Sequence, residues 1–285
     1  MFRIRIQNKK KCIWYCSAVV SFLLFLLLLG WTNHLANTQD AQQMAGRWSE
    51  KKDVAQISCF FSSKAEVTED TIQSFEYSLK NVLQEASITE TSENPSARLW
   101  VDAYSADGKI TLVNGKNTLD ANAIGIGGDF FMFHPLKLIT GAYFSGNDLM
   151  QDYCIIDQDA AWQLFGSNDV VGMTVYIGNV PHIVTGVVQR PDSRMDKAAG
   201  LNSTVVYVSY ETLSAYGTNN GINHYEIVMP NPVDEFAYGK VKEGIGIDEK
   251  NVEIVENSRR YSLPNRIKTI LAFGTHSMNG KAIIY

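Results

Sequence analysis

The side chains of this 285-residue sequence best suited to chemistry are five histidines, four cysteines and 30 carboxylates. The histidines, His34, His134, His182, His224 and His276, stand far apart in the chain. They form no HExxH pair or other spacing that would set two metal ligands on one helix face. His182 opens the apolar run HIVTGVV, where a packed or hydrogen-bonded imidazole is the expected state. The carboxylates could act as acid and base only in a geometry that spacing does not supply, so a solvated surface is the default reading of each. No nucleophile elbow, P-loop or kinase signature occurs. Gly125-x-Gly127-Gly128 lacks the third glycine of a dinucleotide fingerprint and the strand, turn and helix that must surround it. No catalytic, cofactor-binding or metal-binding residue is therefore assigned.

Two of the cysteines, Cys12 and Cys16, border an apolar run, where a bland apolar role outweighs reversible acylation. Cys59 and Cys154 stand in the strand-like contexts ISCF and YCII. They could pair in an oxidising compartment or remain as two buried thiols, and the sequence leaves both open. The cluster Phe130-Phe131-Met132-Phe133 reads as core, whereas an exposed version would be a partner surface.

The strongest organisational signal lies at the N-terminus. From Ile13 to Trp31 the chain reads IWYCSAVVSFLLFLLLLGW, with no charge between Lys11 and Asp40. At about 1.5 Å per residue this run spans roughly 28 Å, the thickness of a bilayer's hydrocarbon core. Arg3, Arg5, Lys9, Lys10 and Lys11 precede it with no acidic residue among them. The positive-inside rule keeps that end in the cytoplasm and sends the rest of the chain outward. A signal peptide would have a shorter apolar region, about 7 to 15 residues, closing on small residues. Here TNHLANTQDAQQMAG offers only Ala36-Asn37-Thr38, so the run reads as an uncleaved transmembrane anchor in contact with lipid.

Setting the five N-terminal cations aside leaves 20 Lys and Arg against 30 acidic residues, a formal charge of −10 beyond the anchor. Such a surface repels nucleic acid, and no nucleic-acid partner is expected.

Beyond the anchor the elements alternate. Val54 to Phe61 reads as a strand. A helix follows, capped by Thr68, with Ile72, Phe75, Leu79, Val82 and Leu83 along one face. Arg98 to Tyr104 and Lys109 to Val113 read as a hairpin turning at Asp107-Gly108, with another strand at Asn122 to Ile126. Tyr153 to Ile156 is a strand, and a short helix capped by Asp157 or Asp159 ends at Gly166. A hairpin joins Met173–Ile177 to His182–Val188 through a turn at 178–181. Strands at 204–208, 224–229 and 251–255 then enclose helices at 210–216 and 233–242. The fold class is α+β, a mixed α/β domain of one large unit or two joined subdomains after the membrane helix.

Within this frame the stretch 138–188 resembles the extracytoplasmic core domain of MacB/FtsX-type ABC transporter permeases. LITGAYFS, with Gly141 and Phe144, is similar to the family's G-R-x-F-S, and Asp148 follows where the family tends to be acidic. Ala160 to Gly166, AAWQLFG, resembles A-x-x-L-F-G and includes Leu164, Phe165 and Gly166. DVVGMTV, with Gly172, and HIVTGVV, with Gly186, resemble D-x-V-G-x-x-I and Y-x-V-V-G-V-V. Ala142 departs from the family's frequent Arg. Leu164 and Phe165 are expected core anchors. Gly166 and Gly172 are expected where a helix ends and a strand opens, and Gly186 at a bulge or close backbone approach.

The resemblance implies a cytoplasmic basic segment at 1–12, a transmembrane helix at 13–31, an extracytoplasmic core domain at 32–256 and a basic tail at 257–285. In the family three further membrane helices follow, and none is seen here, so the chain reads as a truncated or split permease. The implied function is a permease subunit or fragment that couples cytoplasmic ATP hydrolysis to movement of the exported domain, for export or cell-envelope signalling, without catalysis of its own. The implied partners are a cytoplasmic ABC ATPase and a second permease copy or paired permease. The rival reading is a single-pass exported binding or sensor protein without an ATPase, and a membrane-anchored hydrolase ranks last.

Overall fold

The computed structural model describes residues 9–37, 40–49, 53–89, 98–190 and 203–260. Helix α1 (Lys9–Asn37) contains the predicted anchor. Its segment Ile13–His34 has a mean hydropathy of 2.3 and is long and apolar enough to cross a membrane. The basic tail from 261 onward lies outside the described residues.

Residues 41–260 make up a separate folded body. It begins with a one-turn helix α2 (Met44–Trp48) and strand β1 (Val54–Phe61). Helix α3 (Glu69–Glu85) starts at Thr68, whose N–H donates to Thr71 Oγ1 at 3.4 Å, and Glu69 and Asp70 complement its dipole. Its buried stripe is Ile72, Phe75, Leu79 and Leu83, four of the five residues expected from the sequence, while Val82 is half-buried.

The predicted hairpin at Asp107-Gly108 is not formed. Strand β2 (Val101–Asn114) runs through it unbroken, and the chain turns instead at Gly115-Lys116 into β3 (Asn117–Gly128). Gly115, at φ +60°, takes the left-handed conformation a two-residue turn requires. Gly108 answers to a neighbour: a Cβ there would lie 2.3 Å from the carbonyl oxygen of Thr218, in the short strand pairing alongside. A close backbone approach and a hairpin turn both call for glycine, and the sequence alone does not separate them.

The chain continues through α4 (Phe130–Phe133), β4 (Leu138–Gly141), β5 (Tyr153–Asp157), α5 (Gln158–Phe165), β6 (Thr174–Ile177) and β7 (Val180–Val188). After these come β8 (Val205–Ser209), α6 (Tyr210–Tyr216), β9 (Thr218–Asn219), β10 (His224–Pro230), α7 (Phe236–Gly244), β11 (Val252–Glu256) and α8 (Asn257–Arg260).

Among the described residues the strands join in one sheet, ordered β11-β1-β10-β2-β3-β8-β5-β7-β4. β6 pairs with both β7 and the far end of β2, so pairing runs in a ring through β2, β3, β8, β5, β7 and β6. Each ring strand contributes to one apolar cluster, which includes Leu112, Ala121, Val206, Ile156, Val184 and Ile177. The open part, β11-β1-β10 and the start of β2, buries a second cluster under α3 and α7. A third lies on the opposite face, where Met44 of α2, Phe130, Phe131 and Phe133 of α4, and Phe144 cover Val101, Ala103 and Val228. The mixed α/β class therefore stands, with two lobes that share β2. The aromatic run 130–133 is core except for Met132, which is exposed.

Candidate functional site

Side chains alternate along a strand, so β1 and β10 each present two faces. One carries Ala55, Ile57 and Cys59 beside Tyr225, Ile227 and Met229, all in the core under α3. The other carries Gln56 and Ser58 beside His224 and Glu226, with Ser58 paired to Glu226 and Phe60 to His224. Gln56, Ser58 and Glu226 are almost wholly buried, so each must find partners.

Those partners are the two chain segments that lead into and out of the body. Gln56 Nε2 donates to the Ala41 carbonyl at 2.6 Å, and Gln56 Oε1 accepts from the Met44 N–H at 2.9 Å. On the outgoing side the Gln56 N–H donates to Ser258 Oγ at 2.7 Å, and Asn257 Nδ2 donates to Ser58 Oγ at 2.7 Å. Ser58 Oγ in turn donates to Glu226 Oε1 at 2.6 Å. Arg47 of α2 donates to the Met132 carbonyl at 2.7 Å, tying the incoming segment to α4. One strand thus holds the segment that follows α1 and the segment that leaves the last strand.

His134, just past α4, completes this face. Its Nε2 lies 2.7 Å from Glu226 Oε2, while His224 Nε2 lies 3.8 Å from Oε1. Each imidazole is stacked on a phenylalanine, His134 on Phe130 and His224 on Phe60, with centroids 4.6 and 4.7 Å apart. Burial pushes the Glu226 carboxyl up, but the contact with His134, the charges of both histidines and the Ser58 hydrogen bond together hold it below its ordinary value. Burial holds His224 below the ordinary histidine value, the Glu226 charge opposing. Linear spacing cannot reveal this group, because 90 residues separate His134 from His224. The one legible trace is His224-x-Glu226, an alternation that puts two polar side chains on one strand face.

A second polar group lies beneath α3. Burial, the charge of Asp102, the hydrogen bond they share and the charge of Glu69 push Glu76 up to about 8. Asp102 is also raised by burial, against hydrogen bonds from Glu76 and from Tyr225, whose hydroxyl donates at 3.2 Å. A third group is structural. Asp157 Oδ1 caps α5 by accepting from the Ala160 N–H at 2.7 Å. Its Oδ2 accepts from Arg190 Nη2 at 2.9 Å and from the Val205 N–H at 3.1 Å.

The motif residues named from the sequence fall around the ring. Gly141 of β4 pairs with Gly186 of β7, and a Cβ on Gly141 would lie 2.1 Å from the Thr185 carbonyl oxygen. The Gly172 N–H donates to the adjacent Val184 carbonyl at 2.8 Å. These three glycines converge on β7. Leu164 is in the ring's core with Phe165 packed against it, and Gly166 ends α5 at φ +74°. Phe144 belongs to the cluster under α4, while Asp148 Oδ2 accepts from the Ser145 N–H at 2.9 Å and closes a turn. His182 is buried between the Val180 carbonyl and Thr212 Oγ1, at 3.0 and 3.1 Å. Cys59 and Cys154 are free thiols in different clusters. Burial pushes both up, Cys154 to about 12, so neither is a thiolate at neutral pH.

The family model described as the MacB-like periplasmic core domain matches residues 21–254. The macrolide export ATP-binding/permease protein MacB of Chromobacterium violaceum is 32% identical over 99 residues, covering 34% of this chain and 15% of that protein. The protein of the same description from Pasteurella multocida is 30% identical over 98 residues, covering 34% of this chain and 14% of its own length. The match therefore spans about one-seventh of these relatives. Among solved structures, the periplasmic region of MacB from Actinobacillus actinomycetemcomitans aligns with a TM-score of 0.46 at 20% identity, covering 76% of this chain and 92% of that one. The extracellular domain of the ABC-type transporter YknZ aligns at 0.43 and 18% identity, covering 70% and 99%.

Proposed function

The chain belongs to the family of MacB-like periplasmic core domains, and on that premise we propose that it serves as a permease subunit, or part of one, of an ABC transporter. In this reading α1 crosses the membrane with its basic end in the cytoplasm, and residues 32–256 work outside it. An ABC ATPase in the cytoplasm supplies the energy, and the exported body passes on the movement, for export or for cell-envelope signalling. The protein catalyses no reaction of its own. A second copy, or a paired permease, completes the assembly.

The observation that carries this reading is the double anchorage on β1. A domain inserted between membrane segments is moved through its two connections, and a rigid response requires both to be fixed to the same element. Here Gln56 holds Ala41, Met44 and Ser258, while Ser58 holds Asn257. A pull on either connection therefore reaches β1, and through the ladder with β10 and β2 it reaches both lobes. Packed β-structure transmits such displacements with little loss, because its side chains interdigitate at crystal-like density.

Purification of the tagged protein from its native membrane, with mass spectrometry of what accompanies it, tests the proposal. A stoichiometric ABC ATPase supports it. A stable, correctly oriented protein without one would instead favour a single-pass exported binding or sensor protein.

A further inference from the structure

The three side chains His134, His224 and Glu226 bring their ligand atoms within 4.8 Å of one another. We propose that they form a binding site for a divalent transition-metal ion of the zinc class, with Nε2 of each imidazole and the Glu226 carboxylate as protein ligands and a fourth position open to water.

Four features point this way. The first is the donor set, since two imidazoles and one carboxylate suit zinc, copper or nickel and are a poor match for the all-oxygen shells of magnesium or calcium. The second is spacing. An ion about 2.0–2.2 Å from each donor needs donors roughly 3.3–3.5 Å apart. The separations to the two Glu226 oxygens are 2.7 Å and 3.8 Å, and all three ligand atoms lie within 4.8 Å of one another, so side-chain shifts of about 1–1.5 Å bring them to that spacing. The third is that His224 Nε2 is buried without a hydrogen-bond partner, 3.8 Å from the carboxylate whose other oxygen already contacts His134. A buried polar atom left unpaired is costly unless something beside it takes up its free valence. The fourth is support from behind: Asn257 holds Ser58, and Ser58 holds the carboxylate. Such outer contacts orient the ligands of a metal site.

The side chains of His134 and His224 are 24% and 20% exposed, so the site lies at the edge of the core, where a small side-chain movement admits an ion. The ion would also join α4 to β10 beside the anchorage on β1, adding a link between the aromatic cluster and the strand that holds both connections.

The test uses the full chain in detergent or nanodiscs, carrying a tag without histidine, stripped with chelator and titrated with zinc alone. The proposal expects one zinc per chain by saturable binding. It expects at least about a tenfold loss of affinity in His134→Gln and in His224→Ala, and a similar weakening in Ser58→Ala. Cobalt in place of zinc should give the visible absorption of a four-coordinate site in the wild type and lose it in both histidine variants. His34, His182 and His276 remain in every variant, so binding by them would persist. Unfolding midpoints of the metal-free proteins check that each variant folds. Should His224→Ala fail to fold, His134→Gln, at the more exposed side chain, still decides. Absence of saturable one-to-one binding, or affinity unchanged by His134→Gln, overturns the proposal.

Discussion

The backbone N–H of Gln56 donates to Ser258 Oγ at 2.7 Å, across 202 residues of chain. The same Gln56 holds the Ala41 carbonyl and the Met44 N–H through its side chain, so a single residue of β1 meets both connections of the folded body. Replacing it by alanine would leave those two main-chain groups without their partner. A buried unsatisfied group costs about 1–3 kcal/mol. Gln56→Ala should therefore lower stability by about 2 kcal/mol or more. It should also speed hydrogen exchange in 41–48 well beyond that of the ring strands, as mass spectrometry would read. Uniform acceleration across the body would mean that Gln56 contributes only general stability.

The motif glycines Gly141, Gly186 and Gly166 should not respond alike. Gly141 combines φ +87° with a backbone oxygen 2.1 Å from any added Cβ. Gly141→Ala should cost about 3 kcal/mol or more, since left-handed strain alone is worth about 1–3 kcal/mol. Gly186 has an ordinary φ and nearest neighbours at 3.0 and 3.1 Å, one of them a leucine methyl that can give way. Gly186→Ala should cost less, about 1 kcal/mol. Gly166 faces open space, so only its φ opposes a side chain, again about 1 kcal/mol. Denaturant titration of the three variants checks this ranking, and an equal loss in all three would contradict it.

Glu76 makes stability depend on pH in a defined direction. Its carboxyl is raised from 4.5 to about 8 in the fold, so the native state keeps a proton that the unfolded chain gives up above about 4.5. Stability from this group therefore falls as pH rises from about 4.5 toward 8. Glu76→Gln removes the dependence. Its partial exposure limits the effect to about 1 kcal/mol, or about 2–4 °C in midpoint at pH 8, with little change at pH 4.5. Thermal melts at the two pH values decide, and a gain confined to the lower pH would reverse the sign.

Asp157 combines a helix cap, a buried ion pair and a strand amide. Asp157→Ala should cost about 2–3 kcal/mol, because it uncaps α5, leaves the Val205 N–H without its acceptor and removes one of the two carboxylates that hold Arg190, the other being Asp159. Asp157→Asn keeps an oxygen for the cap and should cost distinctly less. Comparable losses in the two variants would assign the whole effect to the charge.

Much of this architecture was legible in local patterns. The α3 stripe, the Asp157 cap and the Gly166 terminus each rest on contacts within a few residues, and the structure repeats them. The β2 hairpin was misread because Asp107-Gly108 and Asn114-Gly115 carry the same turn signal. Only the passage of β9 beside Gly108 explains why the first is strand. Closure of the ring was not legible, since it depends on β6 returning to β2, a pairing that leaves no periodic trace. The anchorage on β1 and the His134, His224 and Glu226 cluster escaped for a related reason. Their members come from distant segments, and each alone looks like an ordinary polar residue in a strand.

The central claim is that movement reaches the exported body through the two connections held on β1. It is tested most directly by hydrogen exchange on the complex purified from native membrane, without nucleotide and with ATP and vanadate trapped. The account predicts that exchange in 41–48 and 257–260 changes between the two states, together with the β1 amides they contact. A complex whose ATPase is trapped while these segments stay unchanged, or a preparation that holds no ATPase to trap, would contradict it.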